Sequence, residues 1–125
     1  MQLLNKNTTN ELVFTLNEKS TLTDPFWLFE FTPSVGDVVY FNATDVSPYP
    51  RRYNLFEVVE DAVPDPSNGI IELLYGFGTY RVYESTTQTL DPIDTTGIVI
   101  EEGKYFVEGW DAPIDSGFNN QNIYI

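Results

Sequence analysis

Histidine and cysteine are both missing from this 125-residue chain, and each absence closes a block of chemistry. Histidine is the usual general base near neutral pH, the partner of most serine nucleophiles and the commonest metal ligand. Cysteine supplies thiolate nucleophiles and the ligands of zinc and iron–sulfur centres. What remains for catalysis is a carboxylate pair, a serine or threonine nucleophile with a lysine base, or tyrosine chemistry. The lack of cysteine also excludes disulfides and leaves no record of redox compartment. A single domain over residues 1–125 is expected, since a chain of this size buries roughly two thirds of its unfolded surface and needs no staple. Long apolar runs are absent as well. None approaches the roughly 20 residues that cross a bilayer as a helix, and Met1 to Asn10 has no basic region or continuous apolar stretch, so no secretory signal is expected there.

Positive charge is scarce. Six lysines and arginines face 19 acids, a net of −13, and the imbalance is concentrated late in the chain. Up to Phe56 there are six acids and four bases, Lys6, Lys19, Arg51 and Arg52; from Glu57 onward thirteen acids face only Arg81 and Lys104. Binding to phosphate backbones or anionic lipid relies on neutralising negative charge, so neither a nucleic acid nor a membrane is an expected partner. The acidity favours solubility at high local concentration.

What the chain does have is period-two alternation, without an apolar stripe at helical spacing. In 11–17, Leu12, Phe14 and Leu16 share a face; in 26–32, Trp27, Phe29 and Phe31 do. Further strands are expected at 37–42, 53–59, 70–75, 79–84, 97–101 and 104–108, with a short one at 122–125. Asn5-Lys6-Asn7, Asn68-Gly69 and Glu102-Gly103 carry the chemistry of hairpin connections. Proline-bearing loops at 43–52, 61–69 and 85–96 cap the sheet ends. The expected fold is all-β: a single antiparallel β-sandwich, Ig-like or jelly-roll-like, of about eight or nine short strands.

Candidate sites are few. The acids lie in turns or, as with Glu57, Glu72, Glu84 and Glu108, are expected to point outward, so no pair is singled out for glycosidase-type catalysis. No enzymatic activity and no cofactor are expected. Calcium is the one metal that acidic loops could hold, but 61–69 and 91–94 lack the alternating spacing of an EF-hand loop, and their aspartates read as turn initiators before proline. The cluster Phe26, Trp27, Phe29 and Phe31 reads chiefly as core, although such a cluster also forms the stacking platform of carbohydrate-binding modules. Trp110, with Tyr105 nearby in sequence, is a candidate for glycan stacking on equal terms with packing. In the segment 45–53, Tyr49, Arg51 and Arg52 combine the residue types enriched at interface hot spots, in a chain almost devoid of positive charge. They either engage a partner's carboxylates or pair with acids of the same chain.

Four segments taken in order carry a resemblance. They are Leu4 to Pro25 leading into Phe26-Trp-Leu-Phe-Glu-Phe-Thr32; Asp45-Val-Ser-Pro-Tyr49 with Arg51-Arg-Tyr-Asn-Leu-Phe-Glu57; Gly78-Thr-Tyr-Arg-Val-Tyr-Glu-Ser85; and Thr96-Gly-Ile-Val-Ile-Glu-Glu-Gly-Lys104. Together they resemble a family of small virion structural proteins of tailed bacteriophages, crAss-like and related phages of Bacteroidetes and marine bacteria. The resemblance implies a non-enzymatic auxiliary or decoration protein on the phage head, made in the host cytoplasm. Its partners would be the major capsid protein and other virion proteins, and further copies of itself. After Gly109 the sequence departs from the family pattern, which leaves open whether the C-terminal contact is shared. In such a role, terminal segments and strand edges extend a neighbour's sheet. Leu3 and Leu4 at one end and Ile123, Tyr124 and Ile125 at the other are candidates, expected to fray in isolation. The alternatives are a carbohydrate-binding or adhesion module on the virion, and a tail or neck component.

Overall fold

Eight strands form two sheets that pack their apolar faces together, a β-sandwich with no α-helix among the described residues. The structure is a computed structural model and describes residues 1–108. The strands are β1 Gln2–Asn5, β2 Thr9–Phe14, β3 Phe26–Pro33, β4 Val39–Asn42, β5 Asn54–Glu60, β6 Ile70–Ile71, β7 Gly76–Ser85 and β8 Val99–Glu108. Single 3-10 turns occur at Pro66–Asn68 and Pro92–Asp94. The larger sheet has the order β1-β8-β7-β3-β4 and the smaller β2-β5-β6. Pairing is antiparallel except at β1–β8 and β5–β6, which are parallel.

The expected inward faces are the observed ones. Leu12, Phe14 and Leu16 meet Trp27, Phe29 and Phe31 in a core that also takes Phe41, Phe56, Val58, Tyr80 and Val82. Alternation forces this, because one apolar face per strand has only the opposite sheet to shelter it. Aromatic rings supply the thickness: Phe29 stacks on Phe41 at 5.0 Å and meets Phe56 edge-on at 4.9 Å, while Tyr105 stacks on Phe31 at 4.6 Å. Leu28, which faces away from this core, is also buried, beside Tyr83 and Asn42 in the strand register. The segment after β7 is tied back near it by Asn42 Nδ2 donating to the Thr89 carbonyl at 2.9 Å.

Several expectations are corrected. The first residues are not free of the sheet: Gln2–Asn5 pair as β1 parallel to β8, and Leu4 is fully buried in the core. The strands expected at 97–101 and 104–108 merge into one, Val99–Glu108, because Glu102 and Gly103 pair with Arg81 and Tyr80 of β7 rather than turning. Asn68-Gly69 does not join two antiparallel strands; Gly69, at φ 73°, closes the 3-10 turn that leads into a parallel β6. The strand expected over 70–75 stops at Ile71, and the Leu73 amide donates to the Glu60 carboxylate instead of a ladder carbonyl. Glu84 points inward and is buried, unlike Glu57, Glu72 and Glu108. The strand expected at 122–125 lies outside the described residues.

Candidate docking surface

Polar side chains buried at strand ends hold the loops in place. Asn54, at the start of β5, accepts the Leu16 amide at 2.7 Å and donates to Asp45 Oδ2 at 2.7 Å. Asp45 Oδ1 in turn accepts the amides of Ser47 at 2.9 Å and Leu55 at 3.0 Å. Ser47 Oγ accepts the Tyr49 amide, and the Tyr49 carbonyl accepts the amides of Arg52 and Tyr53 at 2.8 and 3.1 Å. Every step from the core to the tip of the β4–β5 loop is therefore hydrogen-bonded. At the tip, Tyr49 is 58 % exposed and Arg51 and Arg52 are exposed.

The electrostatic setting sharpens this turn. Lys6 pairs with Glu60, Lys19 with Glu101 and Arg81 with Glu102, whereas Arg51 and Arg52 have no ion-pair partner among the described residues. Of the two alternatives left by the sequence, pairing with this chain's own acids is not the one observed there. The hydrogen bonds order the backbone of this turn, so its two exposed guanidiniums and the Tyr49 phenol are presented to solvent on a fixed main chain.

The remaining candidates separate. Leu3 is exposed and Leu4 fully buried, so of these two side chains only that of Leu3 faces solvent. Tyr105 is buried against Phe31 and its phenol is pushed up to about 12 by that burial, which removes it as a glycan-stacking residue. Trp110, Ile123, Tyr124 and Ile125 lie outside the described residues. The aspartates of the two loops considered for calcium act as turn caps: Asp61 accepts the Val63 amide, Asp91 the Ile93 amide, and Asp65 the Asn68 side chain. Among the described residues no group of three or more acids is placed to hold a metal ion, and no helix is long and apolar enough to cross a membrane.

Three features had no clear sequence signal. Glu60 is buried and accepts the amides of Asn7 and Leu73 at 2.9 and 2.8 Å, with Lys6 Nζ 3.3 Å away. Glu84 is buried and accepts the Thr21 amide, the Thr21 hydroxyl and the Ser20 hydroxyl at 3.0, 2.7 and 3.0 Å. Burial pushes the Glu84 carboxyl up, but these hydrogen bonds to the charged form outweigh it and hold the group below its ordinary value. The third is a cleft of about 570 Å³ lined by Phe26, Asn42, Glu57, Asn68 and Gln88. Phe26, grouped by sequence with its buried neighbours, is 47 % exposed there.

Compared with known proteins, the chain matches no family model, no curated protein and no solved structure.

Proposed function

We propose that this protein is a non-enzymatic structural component of a bacteriophage particle, an auxiliary or decoration protein that binds the major capsid lattice and stabilises the head. The observation that carries the reading is the ordered Tyr49–Arg52 turn, whose two arginines lack a partner among the described residues of a strongly acidic chain. The resemblance of the four sequence segments to phage virion proteins accords with it, as does a chain without cysteine, which has no disulfide to lose outside a cell. The turn docks on carboxylates of neighbouring capsid subunits, and exposed Leu3 adds apolar contact at the sheet edge.

The test is sedimentation of the isolated protein with emptied or expanded heads. Binding is expected to weaken with salt, and Arg51→Ala with Arg52→Ala is expected to cost about 2 kcal/mol, roughly 30-fold in Kd. Failure to bind any assembled head shell overturns the proposal; binding only to tails or necks moves the protein to that part of the particle. A second reading, a carbohydrate-binding module, is favoured by the exposed Phe26 ring beside amide and carboxylate groups in the cleft. It requires that Phe26→Ala abolish binding on a glycan array, and an array with no ligand for the unmodified protein removes it.

A further inference from the structure

The cleft beside Phe26 opens where the chain leaves the larger sheet for the smaller one. After β4, Ala43 and Thr44 cross over; Asp45 then bridges Phe56, and the Val46 amide donates to the Leu55 carbonyl at 2.8 Å. Glu57 on β5, Asn68 in the first 3-10 turn and Gln88 after β7 also border this space of about 570 Å³. Three amide side chains line it, and each has its nitrogen committed. Asn42 Nδ2 donates to the carbonyls of Trp27 and Thr89 at 3.0 and 2.9 Å, Asn68 Nδ2 to Asp65 Oδ2 at 2.8 Å, and Gln88 Nε2 to the Ser67 carbonyl at 3.0 Å. Carbonyl and carboxylate oxygens only accept, so these bonds fix which end of each amide is nitrogen. The amide oxygens are what remains. Asn68 Oδ1 and Gln88 Oε1 meet no donor among the described residues, and Asn42 Oδ1, on a buried residue, takes only the Gln88 amide at a long 3.5 Å.

The charge of the cleft is negative and uncompensated. Glu57 stands directly opposite Glu11 in the β2–β5 register, two exposed carboxylates whose repulsion opposes the pairing, and no ion pair neutralises either among the described residues. None of the residues lining the cleft is a lysine or an arginine. Phe26, half-exposed, adds an aromatic face, whose negative quadrupole attracts a cation. Free oxygen acceptors, an unneutralised carboxylate and an exposed ring together call for a ligand that is planar, positively charged and rich in N–H donors. A guanidinium group is all three, carrying its donors in a fixed planar fork that also stacks on aromatic rings.

We propose that the cleft is a binding site for a guanidinium group, stacked on the Phe26 ring and hydrogen-bonded to the Glu57 carboxylate and the free amide oxygens of Asn68 and Gln88. The site does not depend on the capsid reading, and it differs from the glycan reading of the same cleft in requiring a cation. The isotope-labelled full chain is titrated with Nα-acetyl-arginine amide and, as an uncharged comparator, Nα-acetyl-norleucine amide, and followed by nuclear magnetic resonance. The expected result is saturable shifts of the Asn68 and Gln88 side-chain amide resonances with the arginine compound alone, at millimolar Kd and weaker in high salt. Glu57→Gln keeps the shape of the site and relieves the repulsion with Glu11, so the variant should fold and bind about tenfold more weakly, the contribution of a charge-assisted hydrogen bond. Phe26→Leu should weaken binding about threefold. No saturable shift, equal shifts with the norleucine compound, or an affinity unmoved by Glu57→Gln overturns the proposal. Binding of a neutral oligosaccharide without binding of the arginine compound also overturns it and leaves the cleft to the glycan reading.

Discussion

Replacing Gly78 by alanine tests how closely β7 and the Tyr105 ring of β8 approach each other. Gly78 lies opposite Tyr105 in the β7–β8 register, and Gly103 lies opposite Tyr80, so two glycines and two tyrosines alternate across the same strand pair. A Cβ added at Gly78 would sit 2.3 Å from Tyr105 Cζ, and one at Gly103 2.6 Å from Tyr80 Oη. The Tyr105 ring cannot retreat, because it is buried and stacked on Phe31 at 4.6 Å. Overpacking of this kind costs about 1–3 kcal/mol. In a Tyr105→Leu background the obstruction is gone, and alanine should instead be better than glycine in the strand by about 0.5–1 kcal/mol. The change of sign makes the expected coupling about 1.5–4 kcal/mol, well above the usual error of such cycles. Urea unfolding of the four proteins, followed by circular dichroism and analysed by midpoint at constant slope, reads it directly. Equal costs of Gly78→Ala in both backgrounds would refute the steric account.

Further outcomes follow from three buried ionisable groups, Glu84, Tyr105 and Glu60. Glu84→Ala leaves the Thr21 amide and two hydroxyls without an acceptor, at about 1–3 kcal/mol. Because the folded-state value is depressed, the advantage over Glu84→Gln should be complete above the ordinary 4.5 and fade as pH falls through the lower folded value, as a thermal melt series would show. Tyr105, raised to about 12, should ionise only near that value in the folded state; stability should decline as pH climbs from the ordinary 10.0 toward it, with ultraviolet tyrosinate absorbance rising in step with unfolding. Lys6→Met strands the buried Glu60 carboxylate with only its two amide donors, and should cost about 3 kcal/mol in urea unfolding, the lower end for breaking a buried pair because Lys6 is partly exposed.

The all-β class and the inward faces of β2 and β3 are legible in the sequence alone, because period-two alternation is a local property and a sheet leaves each face only one place to go. The turn-capping role of Asp61 and Asp91 is local in the same way: each bonds an amide two residues on. Tertiary structure decided everything that depends on what lies across a strand or between the sheets. Glu102-Gly103 has the composition of a turn, yet Gly103 is small because Tyr80 of β7 occupies the space where a side chain would be. Glu60 and Glu84 read as surface acids, yet their donors Asn7 and Thr21 lie 53 and 63 residues away in the chain and meet them only after folding. Phe26 and Phe29 are alike in composition and three residues apart, but one is half-exposed at a cleft and the other is at the centre of the core. The sequence supplied the arginine pair as a candidate, whereas its exposure, its ordering through Asp45 and Asn54, and the absence of a described carboxylate beside it are consequences of which loops the two sheets bring together.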